Sequence, residues 1–326
     1  MQYMLFGNDM ETLEACYDTE FLKNGIFKTY DDILKEGAVY GTIEYAFGTW
    51  GVPLLSEAQI HTYFPSLKAL FYAAGSVQYF ARPFFHCGVR IFSAFSANAI
   101  PVAEFATSQI LLANKGFFTI EHMEKRLGYT RTREIADHYP GNFRTKVGLL
   151  GAGSIGRLMI KLLHNYDLDL LVFDPFMSEE KAHSLGVTKA DLPTIFSSCQ
   201  TISNHLAKNE QTIGLLTYEH FSLMQDYSTF INTARGAIVN EEDLKRAMRE
   251  NNTRFCLLDV LDPEEKRDID DDIFTIENII VTPHRAGAHT LERKRLGAYM
   301  EKDFSNVLHQ RKTKYEVFVE DLATMA

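Results

Sequence analysis

Residues 146–174 decide the fold of this chain: KVGLLGAGSIGRLMIKLLHNYDLDLLVFD. The run KVGLL is short and rich in β-forming apolar residues, and the glycines of GAGSIG follow it at once. RLMIKLLHN then reads as a helical stretch, and LDLLVFD is a second apolar run of strand length. The order of strand, glycine turn, helix and strand predicts a βαβ unit with two parallel strands.

The same alternation continues toward the carboxyl terminus. Short apolar runs recur, with helical segments between most of them, at Thr201–Asn204, Ser228–Asn232, Phe255–Val260 and Asn278–Thr282. Repeated alternation of strand and helix is typical of a parallel sheet that helices cover on both faces. These residues are therefore predicted to share one α/β domain with the βαβ unit.

A second α/β unit is indicated in the first 100 residues. Short apolar runs at Ala38–Tyr40, Leu67–Tyr72 and Val89–Phe92 are predicted to be strands separated by helices. The spacing of apolar residues in Ala99–Asn114 favours a helix that links one domain to the next. A charged helix over Thr290–Leu308 is expected to run back and pack on the first domain. A length of 326 residues fits two domains.

Composition narrows the class of protein. Although 46% of the residues are hydrophobic, charges or glycines interrupt every apolar stretch before the ~18–20 residues that cross a membrane. The start, MQYMLFGND, lacks a basic segment and a long apolar one, so we expect no signal peptide and a cytoplasmic location. A net charge of −10 disfavours nucleic acid and anionic membranes as partners. Four scattered cysteines without ligand-like spacing favour neither disulfides nor a metal site.

The motif GAGSIG supplies Gly151, Gly153 and Gly156. The first glycine permits a tight turn, the second removes a side chain where a pyrophosphate approaches the backbone, and the third lets helix and strand pack closely. Ser154 and Ile155 fall at the helix N-terminus, whose N–H groups and dipole attract phosphates. The alternative is a turn that simply needs glycine, but its place between strand and helix favours a dinucleotide site.

Asp174 ends the second strand of the βαβ unit. An acidic side chain there can accept hydrogen bonds from both hydroxyls of an adenine ribose, and it repels a 2′-phosphate. Pro175 and Phe176 follow in place of Arg or Lys, so the pattern favours NAD over NADP. Arg157 is ambiguous, because it could attract a phosphate or be an exposed arginine at the start of a helix.

Three further polar residues follow predicted strands. Arg235 in NTARG could grip a carboxylate with its bidentate guanidinium, and Asp259 in LDV could accept a hydrogen bond from a nicotinamide amide. His284 in VTPHRAG could act as a general acid or base near neutral pH. Each residue alone is compatible with a surface or capping role. Together, at successive strand ends of one sheet, they indicate a single pocket.

The chain strongly resembles the D-isomer-specific 2-hydroxyacid dehydrogenase family. The resemblance covers nearly the whole chain and is carried by segments in matching order: LKALFYAAGSV (Leu67–Val77), ANAIPVAE (Ala97–Glu104), GAGSIG, FDP, HLAKNEQT, NTARGAIVNEEDL, LDV and TPHRAGA. It implies an α/β fold of two Rossmann-like domains with parallel sheets. The cofactor domain, residues 101–290, would be inserted into a discontinuous substrate domain, residues 1–100 plus 291–326. The family also suggests a homodimer.

The resemblance further implies an NAD-dependent oxidoreductase that interconverts a small 2-oxo acid and its D-2-hydroxy acid. Arg235 would bind the substrate carboxylate and carbonyl, His284 would exchange the proton, and Glu264 would keep His284 protonated and oriented. Substrate contacts are expected from the backbone of Gly75, Ser76 and Val77 and from Trp50, which could equally be core. Beyond the glycine motif and Asp174, the expected cofactor contacts are Leu206, Thr212, Thr233, Asp259 and Gly287.

Some positions depart from the family pattern. Pro263 precedes Glu264, whereas the family has an acid followed by proline, so Glu265 or Asp262 could replace Glu264 as the partner of His284. Ala207 stands where a proline is usual, and Arg285 where an aliphatic residue is usual.

The alternative function is an NAD(H)-sensing interaction protein resembling a corepressor, which would not need the Arg, acid and His set. A formate dehydrogenase-like reaction is disfavoured, since acidic residues fill the loop where those relatives have Gln.

Overall fold

The computed structural model describes residues 1–263 and 271–323 of the chain. It divides into two compact units, one formed by Met1–Pro101 and Ala288–Ala326 and the other by Val102–Gly287. We call them unit 1 and unit 2. In the described part, no helix combines the length and the apolar character needed to cross a membrane.

The regular elements alternate along most of the chain. The strands are β1 (Tyr3–Phe6), β2 (Gly25–Lys28), β3 (Tyr45–Gly48), β4 (Ala69–Tyr72), β5 (Arg90–Ser93), β6 (Phe143–Leu150), β7 (Asp167–Phe173), β8 (Thr188–Lys189), β9 (Thr201–Asn204), β10 (Thr229–Asn232), β11 (Phe255–Leu258), β12 (Ile279–Val281) and β13 (Glu316–Val317). The helices are α1 (Met10–Cys16), α2 (Thr19–Leu22), α3 (Tyr30–Glu36), α4 (Glu57–Tyr63), α5 (Ala81–His86), α6 (Phe95–Ala113), α7 (Phe117–Ala136), α8 (Ser154–Leu163), α9 (Glu179–Ser184), α10 (Leu192–Ser198), α11 (Tyr218–Ser222), α12 (Glu241–Glu250) and α13 (Leu291–Leu308).

Unit 1 is built on a six-stranded sheet in the order β13-β5-β4-β3-β1-β2. Neighbouring strands run parallel, except that β13 pairs antiparallel with β5. Side chains alternate along each strand, so Met4 and Leu70 pack into one core while Leu5 and Phe71 pack into a second on the other face. Both faces are therefore covered, as expected for parallel strands linked by helices.

Helix α13 packs against helix α1 at Gly297. A Cβ on Gly297 would overlap the carbonyl oxygen of Cys16, so only glycine allows the two helices to approach this closely. Leu296 and Met300 of α13 are fully buried in the same core as Leu13 of α1. The carboxyl-terminal helix therefore belongs to the same unit as the first hundred residues.

The predicted strand at Ala38–Tyr40 is wrong. Gly37 ends α3 with a left-handed φ of 53°, and the residues after it form an irregular loop. Tyr40 is anchored without a β ladder, because its N–H donates to the Tyr63 carbonyl at 2.7 Å and its ring stacks on Phe64 at 5.3 Å. A short apolar run can thus contact the core from a loop, which hydrophobicity alone does not distinguish from a strand.

Unit 2 is built on a seven-stranded sheet in the order β12-β11-β10-β9-β6-β7-β8, with every neighbouring pair parallel. Val147 and Leu149 of β6 face one buried cluster, and Leu150 at its end faces the other. The chain enters this sheet at β6, in the middle, and builds outward in both directions. The loops that follow β6 and β9 therefore diverge at the carboxyl edge, where open α/β sheets bind ligands. The α/β class with two mainly parallel sheets is confirmed.

Candidate functional site

The glycine turn after β6 has three glycines with three different surroundings. Gly151 adopts φ +95°, and a Cβ on it would lie 2.8 Å from the His205 carbonyl oxygen. A Cβ on Gly156 would overlap the Gly151 carbonyl oxygen. A Cβ on Gly153 would meet nothing within 4 Å. Gly151 and Gly156 therefore serve the packing of the turn, whereas Gly153 leaves open space above it.

Helix α8 begins at this open space. Its N-cap is Gly153, which offers no side chain to the helix, so the N–H groups of the first turn have no side-chain cap. Ser154 is exposed and Ile155 is half-buried at the start of the helix. Uncapped N–H groups and the positive end of the helix dipole favour a bound anion such as a pyrophosphate.

The Asp174 carboxylate is fixed beside the glycine turn. One oxygen accepts the N–H of Ala152 at 2.7 Å, and the other accepts the N–H of Phe176 at 2.8 Å. Arg157 is held at the same turn, because its Nε donates to the Ala152 carbonyl oxygen at 2.9 Å. The predicted ribose-binding acid is thus positioned next to the predicted phosphate site.

The loop after β9 contains two of the predicted cofactor residues. Leu206 is buried, and its N–H lies 3.1 Å from the position that a Cβ on Gly151 would take. The Thr212 hydroxyl donates to the Ala207 carbonyl at 2.6 Å and accepts the N–H of Asn209 at 2.9 Å. Thr212 therefore closes its own loop, while Leu206 abuts the glycine turn.

Two buried asparagines connect the ends of β9 and β10. Asn204 Nδ2 donates to Asn232 Oδ1 at 3.1 Å, and Asn204 Oδ1 accepts the N–H of Leu206 at 3.2 Å. Asn232 also accepts the N–H of Ala234 at 3.1 Å and donates to the Arg235 carbonyl oxygen at 3.2 Å. We call this pair the asparagine bridge. It joins the loop that carries Leu206 to the turn that carries Arg235.

The turn after β10 holds two predicted site residues. Arg235 is half-buried, and its guanidinium donates to the Ala234 carbonyl oxygen at 2.7 Å. Thr233 is buried, and its hydroxyl has no hydrogen-bond partner in the described part of the chain. A buried hydroxyl without a partner is costly, so this atom is a candidate contact for a bound molecule.

Asp259 shapes the turn that carries His284. Its buried carboxylate accepts the N–H groups of Arg285 at 2.7 Å and Ala286 at 2.8 Å, as well as the hydroxyl of Thr282. The His284 N–H donates to the Asp259 carbonyl at 3.0 Å, and His284 adopts a left-handed φ of 49° with its side chain exposed. These bonds hold His284 at the end of β12, beside β11.

The ends of β10 and β11 are also linked, because the Asp259 N–H donates to the Asn232 carbonyl at 2.9 Å. Arg235, Asp259 and His284 are therefore tied to one polar network at the carboxyl edge of unit 2. Gly287, the last residue of this unit, follows directly and is half-buried. Glu264 and Glu265 lie outside the described residues, and Asp262 is exposed, so the acid that pairs with His284 stays a prediction.

The predicted substrate residues lie in unit 1, at the carboxyl ends of neighbouring strands. Gly75, Ser76 and Val77 follow β4, and their N–H groups donate no hydrogen bond to any described residue. The Gly75 carbonyl oxygen accepts the Ser93 hydroxyl at 2.6 Å, which turns the carbonyl away into the fold. Trp50 follows β3 and is 39% exposed, so it is not a core residue. This loop therefore offers a row of N–H donors.

His205 is a buried histidine that motif reasoning did not single out. Its Nε2 lies 2.8 Å from the Ser203 hydroxyl, and its Nδ1 has no partner among the described residues. Burial lowers the pKa of His205 to about 3, so the imidazole is neutral in the folded protein at neutral pH. Its backbone carbonyl also forms the surface against which Gly151 packs.

The neutral state of His205 predicts a loss of stability in acid. In the unfolded chain this histidine gains a proton below pH ~6.5, whereas in the folded chain it does so only near its lowered pKa. The free energy of unfolding should therefore fall by up to ~1.4 kcal/mol per pH unit from pH 6.5 downward. Urea unfolding of the wild type and of His205→Gln at pH 7.5 and 5 measures this. A stability difference that is identical at both pH values would contradict it.

The sequence did not reveal the asparagine bridge as part of the site. Asn204 and Asn232 were visible only as the final residues of two apolar runs, where polar residues commonly mark the end of a strand. The available signal was the same residue type at the ends of two strands that a parallel sheet places side by side. That signal identifies neighbours, but it does not reveal which atoms bond.

Comparison with known proteins identifies the family of this chain. A family model described as the NAD binding domain of D-isomer specific 2-hydroxyacid dehydrogenases matches residues 108–286. The Bacillus subtilis (strain 168) protein YoaD, named as a putative 2-hydroxyacid dehydrogenase, is 36% identical over 142 residues, which are 44% of this chain and 40% of that protein. The D-3-phosphoglycerate dehydrogenase of Archaeoglobus fulgidus is 27% identical over 220 residues, 68% of this chain and 41% of the relative. The chain thus spans about two fifths of the length of these relatives.

Solved structures share the fold over almost the whole chain. A D-2-hydroxyisocaproate dehydrogenase matches with a TM-score of 0.76 and 16% identity, covering 97% of this chain and 99% of its own. The NAD-complexed D-isomer specific 2-hydroxyacid dehydrogenase of Lactobacillus delbrueckii ssp. bulgaricus also matches with a TM-score of 0.76, at 14% identity, covering 97% and 100%. At such identities the likeness concerns the fold. The family model, which spans more than half of the residues, shows that this chain belongs to the D-isomer specific 2-hydroxyacid dehydrogenase family and that its cofactor is NAD.

Proposed function

We propose that this protein is an NAD-dependent oxidoreductase that interconverts a small 2-oxo acid and its D-2-hydroxy acid. The observation that carries the proposal is the polar network at one edge of unit 2. Arg235 and His284, the two residues that such a reaction needs, lie on turns that Asn232 and Asp259 fix to each other. A site held on rigid strand ends keeps catalytic groups in a defined geometry.

The candidate site residues of unit 2 are suited to bind NAD. When bound, NAD supplies or accepts the hydride. The open space above Gly153 and the uncapped start of α8 would receive the pyrophosphate. Asp174 would bind the adenine ribose. Leu206 and Thr212 would line the path of the cofactor, while the Thr233 hydroxyl, Asp259 and Gly287 would lie toward the nicotinamide. The unpartnered Thr233 hydroxyl is the contact that a bound molecule would satisfy.

The chemistry assigned to the remaining residues follows from their charge and exposure. The Arg235 guanidinium would bind the carboxylate and polarise the carbonyl of the oxo acid. His284 would give its proton to the carbonyl oxygen as the hydride reaches carbon, and would take the proton back in the reverse direction. An acid of the neighbouring loop, Glu264 by resemblance, would keep His284 protonated. The N–H row at Gly75–Val77 would hold the substrate carboxylate.

The first test is the oxidation of NADH, followed by absorbance, with glyoxylate, pyruvate, hydroxypyruvate, phenylpyruvate, branched oxo acids and oxaloacetate. We expect turnover of at least one acid. If the protein binds NADH tightly and reduces none of them, the result favours an NADH-sensing protein instead. In that case NADH should change the binding of a protein partner.

Replacing Asp174 by Asn is expected to relax the preference for NADH over NADPH. Asparagine keeps one oxygen that can accept the N–H of Ala152, so the glycine turn should retain its shape, although the bond from the Phe176 N–H is lost. It removes the negative charge that repels a 2′-phosphate. The ratio of kcat/KM for NADH to that for NADPH should fall by roughly tenfold or more, which is about 1.4 kcal/mol. Equal use of both cofactors by the wild type would contradict the role of Asp174.

Replacing Asn204 by Leu is expected to lower kcat/KM for the oxo acid by about tenfold, because the turn that carries Arg235 loses its bridge. Asn114→Leu is the matched control. Asn114 is equally buried and bonds Thr201, at the opposite end of β9. Both variants should lose stability, by roughly 1–3 kcal/mol each. Only Asn204→Leu should alter kinetics, and equal kinetic effects would show that the bridge has no positioning role.

The family resemblance also supports a homodimer that acts in the cytoplasm on a small-molecule substrate. In this proposal unit 1 is the substrate domain and unit 2 the cofactor domain. Sedimentation velocity over a range of protein concentrations tests the dimer, and a sedimentation coefficient of a monomer at all concentrations would contradict it.

A further inference from the structure

Trp50 is the only tryptophan of the chain and lies at the carboxyl edge of the unit 1 sheet. It follows β3, which pairs with β4, and the row of N–H donors at Gly75–Val77 follows β4. The indole is 39% exposed, although a side chain of this size usually gains much by burial. A partly exposed aromatic residue at the edge where substrate is proposed to bind is therefore a candidate recognition residue.

Arg293 covers this indole. Its guanidinium carbon lies 5.4 Å from the centre of the Trp50 ring, within the range of a cation–π contact. Arg293 Nε donates to the Ala288 carbonyl oxygen at 3.5 Å, and the Ala288 N–H donates to Asn98 Oδ1 at 2.9 Å. Asn98 Nδ2 lies 3.8 Å from the position that a Cβ on Gly75 would take. Within unit 1, two hydrogen bonds thus connect Arg293 through Ala288 to Asn98, whose side chain lies close to Gly75.

The charge of Arg293 is not neutralised by a described carboxylate. Many other basic side chains of the described chain are in ion pairs, including Lys294 with Asp18 on the same helix. Glu292 is the acidic residue of the first turn of α13, and its carboxylate accepts the His289 N–H at 2.9 Å. The start of α13 adds positive potential, because Thr290 provides no side-chain cap. A guanidinium that contacts an aromatic ring can still donate its remaining N–H groups to a planar anion.

We propose that Arg293, in cation–π contact with Trp50, is a subsite for an anionic group at the far end of the substrate. The preferred substrates are then 2-oxo acids that carry a second carboxylate or a phosphate, rather than oxo acids with an apolar chain. This inference rests on the proposed function for the identity of the substrate. It extends that function, because Arg235 and Gly75–Val77 account only for the carboxylate and carbonyl common to all 2-oxo acids.

Matched substrate pairs measure the preference. Oxaloacetate is compared with 4-methyl-2-oxopentanoate, 2-oxoglutarate with 5-methyl-2-oxohexanoate, and phosphohydroxypyruvate with hydroxypyruvate. In the first two pairs an isopropyl group replaces the distal carboxylate at nearly constant size, and the third pair measures the effect of a distal phosphate. We expect kcat/KM to favour at least one anionic member by roughly 10- to 100-fold, as for a hydrogen bond to a charged group.

Variants of Arg293 test whether this residue causes the preference for anionic substrates. Arg293→Met should abolish it while leaving the apolar substrates as efficient as in the wild type, and Arg293→Lys should restore it only in part. Lys302→Met is the control, because it removes a positive charge from an exposed position on the same helix. It should leave the preference unchanged. A preference for apolar acids in the wild type, or the same loss in both Met variants, would overturn the proposal.

Tryptophan fluorescence gives a second readout that needs no turnover. Since Trp50 is the sole tryptophan, its emission should change on titration with D-malate but not with D-2-hydroxybutanoate, and Arg293→Met should lose the response to D-malate. If no oxo acid is reduced but the fluorescence responds in this way, the proposed reaction fails and the anion subsite stands. If an oxo acid is reduced and neither charge nor Arg293 affects fluorescence or kinetics, the reaction stands and the subsite fails.

Discussion

Replacing His284 by Asn is expected to lower kcat by about 10²–10⁴-fold, the usual contribution of a general acid and base. Asparagine is chosen because His284 adopts a left-handed φ of 49°, a conformation that asparagine accepts more readily than most residues. The backbone bonds from this turn to Asp259 should therefore persist. Asparagine cannot exchange a proton near neutral pH, so the substitution removes the chemistry and keeps the turn.

NADH fluorescence measures cofactor binding by the His284→Asn variant, and stopped-flow kinetics measures its hydride-transfer step. The dissociation constant of NADH should change less than about threefold, while the hydride-transfer step is lost. His289→Asn is the matched control, since His289 lies five residues further along and engages Glu292 through its backbone N–H. Near-normal turnover of the His284 variant, or an equal loss in the His289 variant, would refute the role of His284.

The second large effect concerns the glycine turn, where alanine at Gly153 and alanine at Gly156 should weaken NADH binding for different reasons. Gly153→Ala should fold with nearly unchanged stability, because its φ of −68° suits alanine and the added Cβ meets nothing within 4 Å. The same methyl would occupy the space that the pyrophosphate needs. We expect NADH affinity to fall by roughly 100-fold or more, as for a site that loses close backbone contact with its ligand.

Gly156→Ala should instead damage the fold. Its Cβ would overlap the Gly151 carbonyl oxygen, which is backbone and cannot move aside without opening the turn. The strain is expected to cost about 1–3 kcal/mol or more, and NADH binding should weaken as a consequence. Thermal unfolding and NADH titration of both variants provide the measurement. If Gly153→Ala keeps the NADH affinity of the wild type, the pyrophosphate does not bind above Gly153.

Much of unit 2 could be predicted because its signals are local. The run after Lys146 encodes a strand, a turn that only glycine permits and a helix, and Thr201–Asn204 was predicted with the bounds that the structure gives β9. Strand β10 begins one residue later than predicted, at Thr229, and β11 ends two residues earlier, at Leu258, because its apolar run continues past the last paired residue. Parallel strands place their carboxyl ends at one edge of the sheet, which is why the polar residues after them could be predicted to meet.

Unit 1 was harder to predict because its decisive contacts are distant in sequence. The loop at Ala38–Tyr40 has the apolar composition of a strand, but only Tyr40 contacts the core, through Tyr63 and Phe64. The two-residue strand β13 pairs with β5, more than 200 residues earlier, and no local pattern encodes that pairing. Arg293 and Trp50 are separated even more widely in sequence. Sequence motifs were enough to predict the reaction. The side chains proposed to select the substrate could be identified only from the structure, because they are distant in sequence.

The most direct test of the proposed reaction follows the hydride itself. NADH that carries deuterium at the transferable position of C4 is incubated with the protein and an oxo acid that it consumes, and the product is analysed by mass spectrometry and chiral chromatography. The account predicts one deuterium at C2 of a D-2-hydroxy acid, with this product absent from His284→Asn. A product without deuterium at C2, or a product of the L configuration, would contradict it.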